Sequence, residues 1–552
     1  MISTRFMLAN LPDPVRALCL LGLMVCCISA LGAEDDQTTF LAPGIELEWS
    51  DELDGGMEQW RVIAGVPNRA ESPRSLISLD PQGVPISHHL AVYTHEEIRW
   101  NFAGYEKGAS ASLIRNWVSE DGHWKLEQWL QSGDQPYRVD LTLTLTRLQG
   151  ESDQVTDPEP VLSIGPGLGE EPIAGLGIAT SLYSYVEPVI ERAGETVRVR
   201  LADRDDVYSS DEAFTRAGLS SRYFALVLTP APGTRPGAIT SELADSPDPE
   251  FLAERYLPTM RFQLDGVPAG VGESTSWHFE IFSGPKSRRA LAAEAEASDY
   301  TGLLFHGLWR WMRGLSFGLL YVLEWIYLVV PSWGLAICLL AVLVRILLYP
   351  MARWALSSQQ KFAEVQREIQ PEMARIKKKY RGGEQSERIL KLYERHGVSP
   401  LAGLKPLLIV LVQIPIFVAL FHVLGQAFEL RDASFLWMDS LAKPDQLFSF
   451  GIDLPFFGGY FNLLPVLMAI TTLMTIKLSP APASSDAERR RQNIFLGLMA
   501  LAFFLLFYPF PSGMVLYWTM ANVLHILQAR LTGPPAGGAG GQKPQQHGHS
   551  GG

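Results

Sequence analysis

Residues 137–148 (YRVDLTLTLTRL) alternate apolar with polar side chains, the period of an extended strand with one face buried and the other wet. Residues 124–130, 223–228 and 277–282 have the same strand character, and Gly165-Pro166-Gly167 and Pro247-Asp248-Pro249 supply turns between such runs. The block from residue 34 to about 284 therefore predicts a large antiparallel sandwich, and no internal repeat divides it.

Beyond residue 284 the period lengthens. Residues 288–297 are rich in Ala and Glu and predict a short helix. From 304 to 315, Leu304, Leu308, Met312 and Leu315 recur on one helical face, with His306, Arg310 and Arg313 on the other. That spacing predicts an amphipathic helix lying along the outer membrane surface; a helix packed on the sandwich would share the pattern. Five apolar stretches follow, at 333–349, 404–425, 462–476, 494–507 and 514–527, and each is a candidate membrane span although several are short. Near the start, Arg5 and Arg16 precede an apolar run at 17–33 that ends Ala30-Leu31-Gly32-Ala33 before Glu34-Asp35-Asp36, which reads as a signal peptide or a retained anchor.

Charge orients these spans. The net charge of −13 divides unevenly: residues 34–300 hold 21 Lys and Arg against 44 Asp and Glu, leaving 25 against 15 elsewhere, so the sandwich carries −23 and the remainder +10. Because Lys and Arg stay on the cytoplasmic side of membrane spans, the acidic block belongs outside. Residues 351–403, with eleven Lys and Arg, and residues 479–492, with Arg489-Arg490-Arg491, belong inside. Residues 429–461 and the turn at Pro509–Ser512 then lie outside and the C-terminus inside. Cys19, Cys26, Cys27 and Cys338 all sit in apolar runs, so no disulfide framework supports the sandwich. The Gly/Pro/Gln-rich tail, residues 532–552, predicts disorder, and His547 and His549 belong to it.

The residue most loaded with chemistry is Arg345, in an otherwise apolar stretch. A guanidinium at the centre of a span costs about 2.5–3.5 kcal/mol on insertion scales. Counting from Trp333 places it about 18 Å along the helix, past the middle and toward the cytoplasm. Snorkelling to the headgroups and a functional role both fit that position. Other spans also carry polar groups: Gln413 and His422; Thr471, Thr472 and Thr475; Tyr517, Trp518, Thr519, Asn522 and His525. Facing lipid, these amides and imidazoles would lack partners. Gathered around Arg345, they would line a wet, inward-open groove; Thr471 and Thr472 also suit plain interhelical hydrogen bonding. Residues 357–398 predict a helical hairpin about Gly382-Gly383. Its basic run, Lys377, Lys378, Lys379 and Arg381, could meet ribosomal RNA or anionic lipid, but a solvated face obeying the positive-inside rule explains the same run and is the better reading.

These residues resemble a known family. Val344-Arg345-Ile346-Leu347-Leu348-Tyr349-Pro350 resembles the arginine-bearing span of the YidC insertases, and Ile369-Gln370-Pro371 with Ser399-Pro400-Leu401-Ala402-Gly403 resembles their cytoplasmic hairpin and its exit. Gln413-Ile414-Pro415-Ile416-Phe417, Glu429-Leu430-Arg431, Leu478-Ser479-Pro480 and Phe510-Pro511-Ser512-Gly513-Met514-Val515-Leu516-Tyr517-Trp518 follow in the family's order, so the likeness covers about residues 299–531. Tyr223-Phe224-Ala225 and Phe282-Ser283-Gly284-Pro285-Lys286 are similar to the periplasmic domain of Gram-negative members.

The resemblance implies a multidomain membrane protein, an all-β periplasmic supersandwich followed by an α-helical bundle of five transmembrane helices with a cytoplasmic helical hairpin. Its parts are a signal peptide or N-terminal anchor at 1–33, the supersandwich at 34–298, an amphipathic interfacial helix and linker at 299–332, the insertase domain at 333–531 with its hairpin at 351–403, and the cytoplasmic tail at 532–552. It further implies a multi-pass protein of the bacterial inner membrane, with residues 34–332 periplasmic and the C-terminus cytoplasmic. The implied activity is insertion and folding of newly made membrane proteins through a hydrophilic groove open to cytoplasm and lipid, with Arg345, Gln413, Thr475, Tyr517, Trp518 and Asn522 along it. Partners would be nascent membrane proteins, the Sec translocon, the ribosome and the phospholipid bilayer, with no sequence-specific nucleic acid, no cofactor, no metal and no enzymatic step.

Two other classes of function compete. A transporter or channel also uses buried arginine and polar groups, but the chain has no repeat and no carboxylate inside a C-terminal span. An enzyme of the sugar-mutarotase type would need a histidine beside a carboxylate; His88, His89, His95, His123 and His278 are available but form no motif.

Overall fold

Alternation along residues 137–148 is realised in the strand Arg138–Arg147. Val139, Leu141, Leu143 and Leu145 are buried, while Asp140, Thr142, Thr144 and Thr146 point to the other face. Each buried aliphatic side chain contributes roughly 1.5–3 kcal/mol relative to leaving it in water. The computed structural model describes residues 37–43, 45–50, 56–64, 72–76, 87, 89–94, 98–107, 112–149, 156–168, 186–201, 206–234, 236–244, 257–292, 299–396, 405–454, 457–478 and 486–531. The expected leader or anchor at 1–33, the turn at Pro247 and the tail at 532–552 lie outside the described residues.

Among the described residues three antiparallel sheets build the N-terminal part. The largest has nine strands, in the order Glu195–Arg198, Val186–Arg192, Arg216–Ser221, Phe224–Pro230, Ser274–Pro285, Arg138–Arg147, Trp124–Ser132, Ser112–Ser119 and Trp100–Lys107. The four runs singled out in the sequence occupy consecutive positions at its centre. Five strands form a second sheet, ordered Tyr208–Ser210, Pro236–Ala244, Leu257–Leu264, Val161–Ile164 and Ala91–Tyr93. Leu162, Ile164, Met260 and Phe262 of this sheet join Leu141, Leu219, Leu226 and Ile281 of the first in one core. A four-stranded sheet, Gln37–Ala42, Ile45–Ser50, Gly56–Ala64 and Ser72–Ser75, adds Ile45, Leu47, Trp60 and Val62 to it. A large β-sandwich is thus followed by helices.

The linker is fastened onto the sandwich. Ser287 caps a single helical turn, α1 (Arg288–Leu291), shorter than the expected 288–297; residues 293–298 lie outside the described residues. Tyr300 is fully buried, stacked on Phe282 at 5.0 Å between centroids, with the guanidinium groups of Arg138 and Arg216 4.5 and 4.7 Å from its ring. The helix expected from Leu304 begins at Arg310 instead: α2 spans Arg310–Val329. Phe305 and Gly307 take φ of 54° and 84°, left-handed values that a right-handed helix cannot pass through. Leu304 is buried in the turn, and His306 donates through Nδ1 to Leu303 O at 2.7 Å and lies 2.5 Å from Glu187. On α2, Ser316, Leu320 and Leu323 are buried at helical spacing, whereas Tyr321, Trp325 and Leu328 are exposed at the same spacing.

After Pro331, α3 (Trp333–Lys379) runs unbroken for 47 residues through Pro350 and Pro371, so the first limb of the expected hairpin continues the span itself. The left-handed Gly382 (φ 66°) turns the chain into α4 (Gly383–Arg395). Among the described side chains of these two limbs Ile369 and Leu392 are buried, and Lys377, Lys378, Lys379 and Arg381 are exposed at their tip. Four further helices are α5 (Lys405–Gln426), α6 (Leu463–Leu478), α7 (Asp486–Phe507) and α8 (Ser512–Leu531).

Two stretches among the described residues are long and apolar enough to cross a bilayer, Arg310–Val329 and Trp333–Met351. Shorter apolar stretches are Leu411–Gln426, Leu463–Thr475 and Asn493–Phe507. The first of these long stretches is α2, expected only to lie along the surface. The expected fifth span, in α8, is missing from both groups because Asn522, His525 and Gln528 dilute it.

The sandwich abuts one end of the bundle. Arg222, almost wholly buried, donates through Nε to Gly425 O at 2.6 Å and through Nη2 to Ala442 O at 3.3 Å, while its guanidinium lies 4.5 Å from the Tyr223 ring. Phe224 meets Phe428 edge-on at 5.7 Å, and Arg288 holds Glu324 of α2 with contacts of 2.6 and 3.0 Å. A loop closes this end. Asp445 Oδ2 accepts from Leu463 N, Leu464 N and Trp437 Nε1 at 2.8, 2.9 and 3.0 Å, thereby capping α6. Asn462 donates to Tyr508 O, and Ser512 to Ser440 O, tying in α7 and α8.

Within the same loop, burial pushes the Glu429 carboxyl up to about 7; the Glu324 anion reinforces this, while its own backbone amide and then Arg289 and Arg288 oppose it. The folded form therefore holds this proton more tightly than the unfolded chain. Stability gained from it is complete below the ordinary value of 4.5 and lost as pH rises through 7. The melting temperature in detergent should accordingly rise as pH falls from 8 to 5, and Glu429→Gln should flatten that dependence. An unchanged slope in the variant would show that another group is responsible.

Candidate functional site

Burial along α8 divides the bundle. Residues 510–517, beside the sandwich, are all buried, whereas 518–522 are half-buried and Val523 and Leu527 are exposed. The other helices show the same gradient. On α3, Ala336, Ile337, Leu340 and Ala341 are buried, but Ile346 and Leu347 are 64% and 73% exposed. On α5, Ala419, Leu420, Val423 and Leu424 are buried, but Leu411 and Ile414 are exposed. The helices therefore pack tightly beside the sandwich and leave their far halves open.

Arg345 sits in that far half, half-buried, and its side chain turns toward α8 rather than away from the bundle. Its Nε donates to Gln528 Oε1 at 3.1 Å, and its Nη2 donates to His525 Nδ1. His525 and Gln528 are three residues apart and thus share one helical face, which is why a planar guanidinium can engage both. Both acceptors are neutral, and no described carboxylate forms an ion pair with Arg345. Among the described residues the positive charge is held in place by neutral acceptors.

A second polar contact lies one turn along α8. Asn522 Nδ2 donates to Thr472 Oγ1 at 2.9 Å, and more weakly to Thr471 Oγ1 at 3.5 Å, joining α8 to α6. Thr472 thus takes the interhelical role that its residue type suits. Thr475 turns its hydroxyl back to Thr471 O on its own helix at 3.0 Å.

The remaining expected groove residues lie on α8 and α5. Trp518 is packed among Phe417, Phe507 and Phe503, with centroids at 5.1, 5.5 and 5.9 Å, as part of the aromatic plug beneath the closed end. Tyr517 is buried, five residues before Asn522 on α8. Gln413 is half-buried on α5. The basic residues at the tip of α3 and α4 lie in a separate region, where Lys379 and Arg388 sit 5.6 and 4.0 Å from the Tyr380 ring.

Gln528 was missed in the sequence because it falls one residue beyond the fifth apolar stretch. The available signal was the stripe Tyr517, Ala521, His525 and Gln528, at helical spacing on the face turned toward α3. On the sandwich, His89 is a structural histidine: its Nδ1 accepts from Gly165 N at 3.1 Å, so its Nε2 donates to Leu76 O at 3.0 Å. His278 bonds Thr142 across strands at 2.9 Å. Among the described residues no group of His, Cys, Asp and Glu is arranged to hold a metal. His88 and His95 lie outside them.

Phe495, Leu498 and Leu501 stand exposed on one helix, while Arg345, Asn522, His525 and Gln528 make polar contacts between helices, an arrangement that suits helices packed in a bilayer. A family model described as 60Kd inner membrane protein matches residues 325–533. The membrane protein insertase YidC of Syntrophobacter fumaroxidans is 37% identical over 274 residues, which is 48% of this chain and 44% of that one. The Chlamydia muridarum insertase YidC is 28% identical over 437 residues, 75% of this chain and 53% of that one. A crystal structure of an active YidC insertase with its first transmembrane domain resolved aligns over 94% of this chain and 99% of that one, at 19% identity and a TM-score of 0.32. The chain is thus similar to the YidC membrane insertases, with the family match confined to residues 325–533. It spans about half the length of the two curated relatives it matches here.

Proposed function

We propose that this protein inserts newly synthesised membrane proteins into the bacterial inner membrane and assists their folding there. One observation carries the reading: a guanidinium held by neutral acceptors, that of Arg345, stands at the open end of a bundle whose other end is packed shut. A passenger's polar tail entering that end meets a cation and half-buried amides in place of hydrocarbon, so the apolar thickness it must cross is reduced.

Magnitudes support a modest aid. An aspartate at a span centre costs about 2.5–3.5 kcal/mol on insertion scales. A carboxylate about 4 Å from a cation in surroundings of intermediate polarity gains on the order of 4 kcal/mol. One acidic residue is thus offset by one arginine, and a run of several is not. Nothing in this step requires a bond to be made or broken.

The fuller reading places five spans at α3 and α5 to α8, α2 along the outer surface, the sandwich in the periplasm and the α3–α4 limbs in the cytoplasm. The exposed Lys377, Lys378, Lys379 and Arg381 there favour the positive-inside orientation and suit contact with anionic lipid or the ribosome. Nascent membrane proteins are the substrates, and the Sec translocon is a partner. The test is reconstitution of the full chain in liposomes with a short single-span passenger, scored by protease protection of its outward tail. Protection that depends on the protein is the expected result. Ion flux across the same liposomes without passenger insertion would establish a channel or transporter instead.

A further inference from the structure

Arg345 cannot hold its position unaided. About 18 Å along α3 from Trp333, a guanidinium on a flexible stem would relax toward the nearest headgroups. Its side chain instead lies against α8, bonded to His525 and Gln528. A carboxylate at either position would also have held it, but would have cancelled the charge that the proposed function needs. Neutral acceptors fix the fork and leave the charge and further N–H donors for a passenger. Because Nη2 donates to Nδ1, the His525 ring carries its own proton on Nε2.

We infer that His525 and Gln528 are positioning residues that hold the Arg345 guanidinium inside the bundle, where it selects passengers with an acidic residue in the crossing tail. This rests on the reading of Arg345 given above and extends it to two side chains on another helix. Tyr517 and Ala521 continue the same stripe toward the closed end. Asn522, one turn from His525, keeps α8 registered on α6 through Thr472 and thereby sets the height of both acceptors.

The test compares two passengers that differ only by Asp or Asn at one tail position, inserted into liposomes of phosphatidylethanolamine and phosphatidylglycerol by the full chain. In the double variant His525→Ala with Gln528→Ala, insertion of the Asp passenger should fall about tenfold, the scale of lost hydrogen bonds to a charged group, while the Asn passenger stays within about twofold. His525→Gln, whose amide oxygen also accepts, should retain most of the preference for Asp.

An equal loss for both passengers would reveal a merely structural role and overturn the inference. So would an unchanged Asp-to-Asn ratio in the double variant while Arg345→Ala abolishes that ratio, in which case the reading of Arg345 stands. If Arg345→Ala leaves the ratio untouched, the reading beneath the inference fails as well.

Discussion

Replacing Arg345 by alanine is expected to lower insertion of a passenger with one aspartate in its outward tail by on the order of tenfold to a hundredfold, with the asparagine counterpart little changed. The estimate follows from the balance already drawn: the attraction is comparable with the cost of carrying one carboxylate into the bilayer, so losing it exposes most of that cost. Stability should change little. His525 and Gln528 are half-buried at the open end, and their freed acceptors can be hydrated there. Arg345→Lys should fall between wild type and alanine, because an ammonium keeps the charge but cannot engage two fixed acceptors through one planar fork. Protease protection of the two passengers, together with a melting curve for each variant, checks both halves of the prediction. A large fall in melting temperature with equal loss for both passengers would mean that Arg345 is a structural residue.

The second large effect lies at the join between sandwich and bundle. Arg222→Ala should destabilise the protein by about 3–5 kcal/mol, because it leaves a void and strands two carbonyl groups, Gly425 O and Ala442 O, at an interface from which water is excluded. Gly425 O belongs to the last turn of α5, where a cation also complements the negative end of the helix dipole. Arg222→Lys should recover only part of the loss, since a single ammonium replaces a fork that reaches two separate segments. Melting in detergent measures the loss. Limited proteolysis should at the same time release the sandwich from the bundle more readily than in wild type. A melting temperature within 1–2 °C of wild type, on the scale where about 1 kcal/mol moves a domain of this size by a few degrees, would contradict the assignment.

The sequence made some elements plain and hid others for identifiable reasons. Strands with one wet face, such as Arg138–Arg147, announce themselves by alternation because the pleat sends successive side chains to opposite faces. The start of α2 was hidden because Leu304 and Leu308 mimic helical spacing, while the left-handed backbone at Phe305 and Gly307 interrupts the helix between them. The apolar stretch ends at Tyr349, but the helix continues through Pro350 and Pro371 to Lys379, since hydropathy marks the end of an apolar run and not the end of a helix. Arg345 stood out because charge is rare in an apolar run. Its partners on α8 lie 180 and 183 residues away, and no local pattern predicts a contact at that separation. Arg222 was invisible for the same reason, with its acceptor Gly425 203 residues distant. Trp518 is half-buried and packs against three phenylalanines of α5 and α7, contacts that no local pattern in the sequence announces.

Photo-crosslinking from positions 413, 517 and 522 to a ribosome-stalled passenger probes the open end of the bundle directly, since Gln413 and Asn522 are half-buried there and Tyr517 borders the aromatic plug. Adducts to the passenger's tail and first apolar segment should form from positions 413 and 522 and weaken at 517, where packing closes. Position 495, on the outward face of α7, serves as the lipid-facing control. Crosslinks that arise from position 495 but from none of the three interior positions would contradict passage along Arg345.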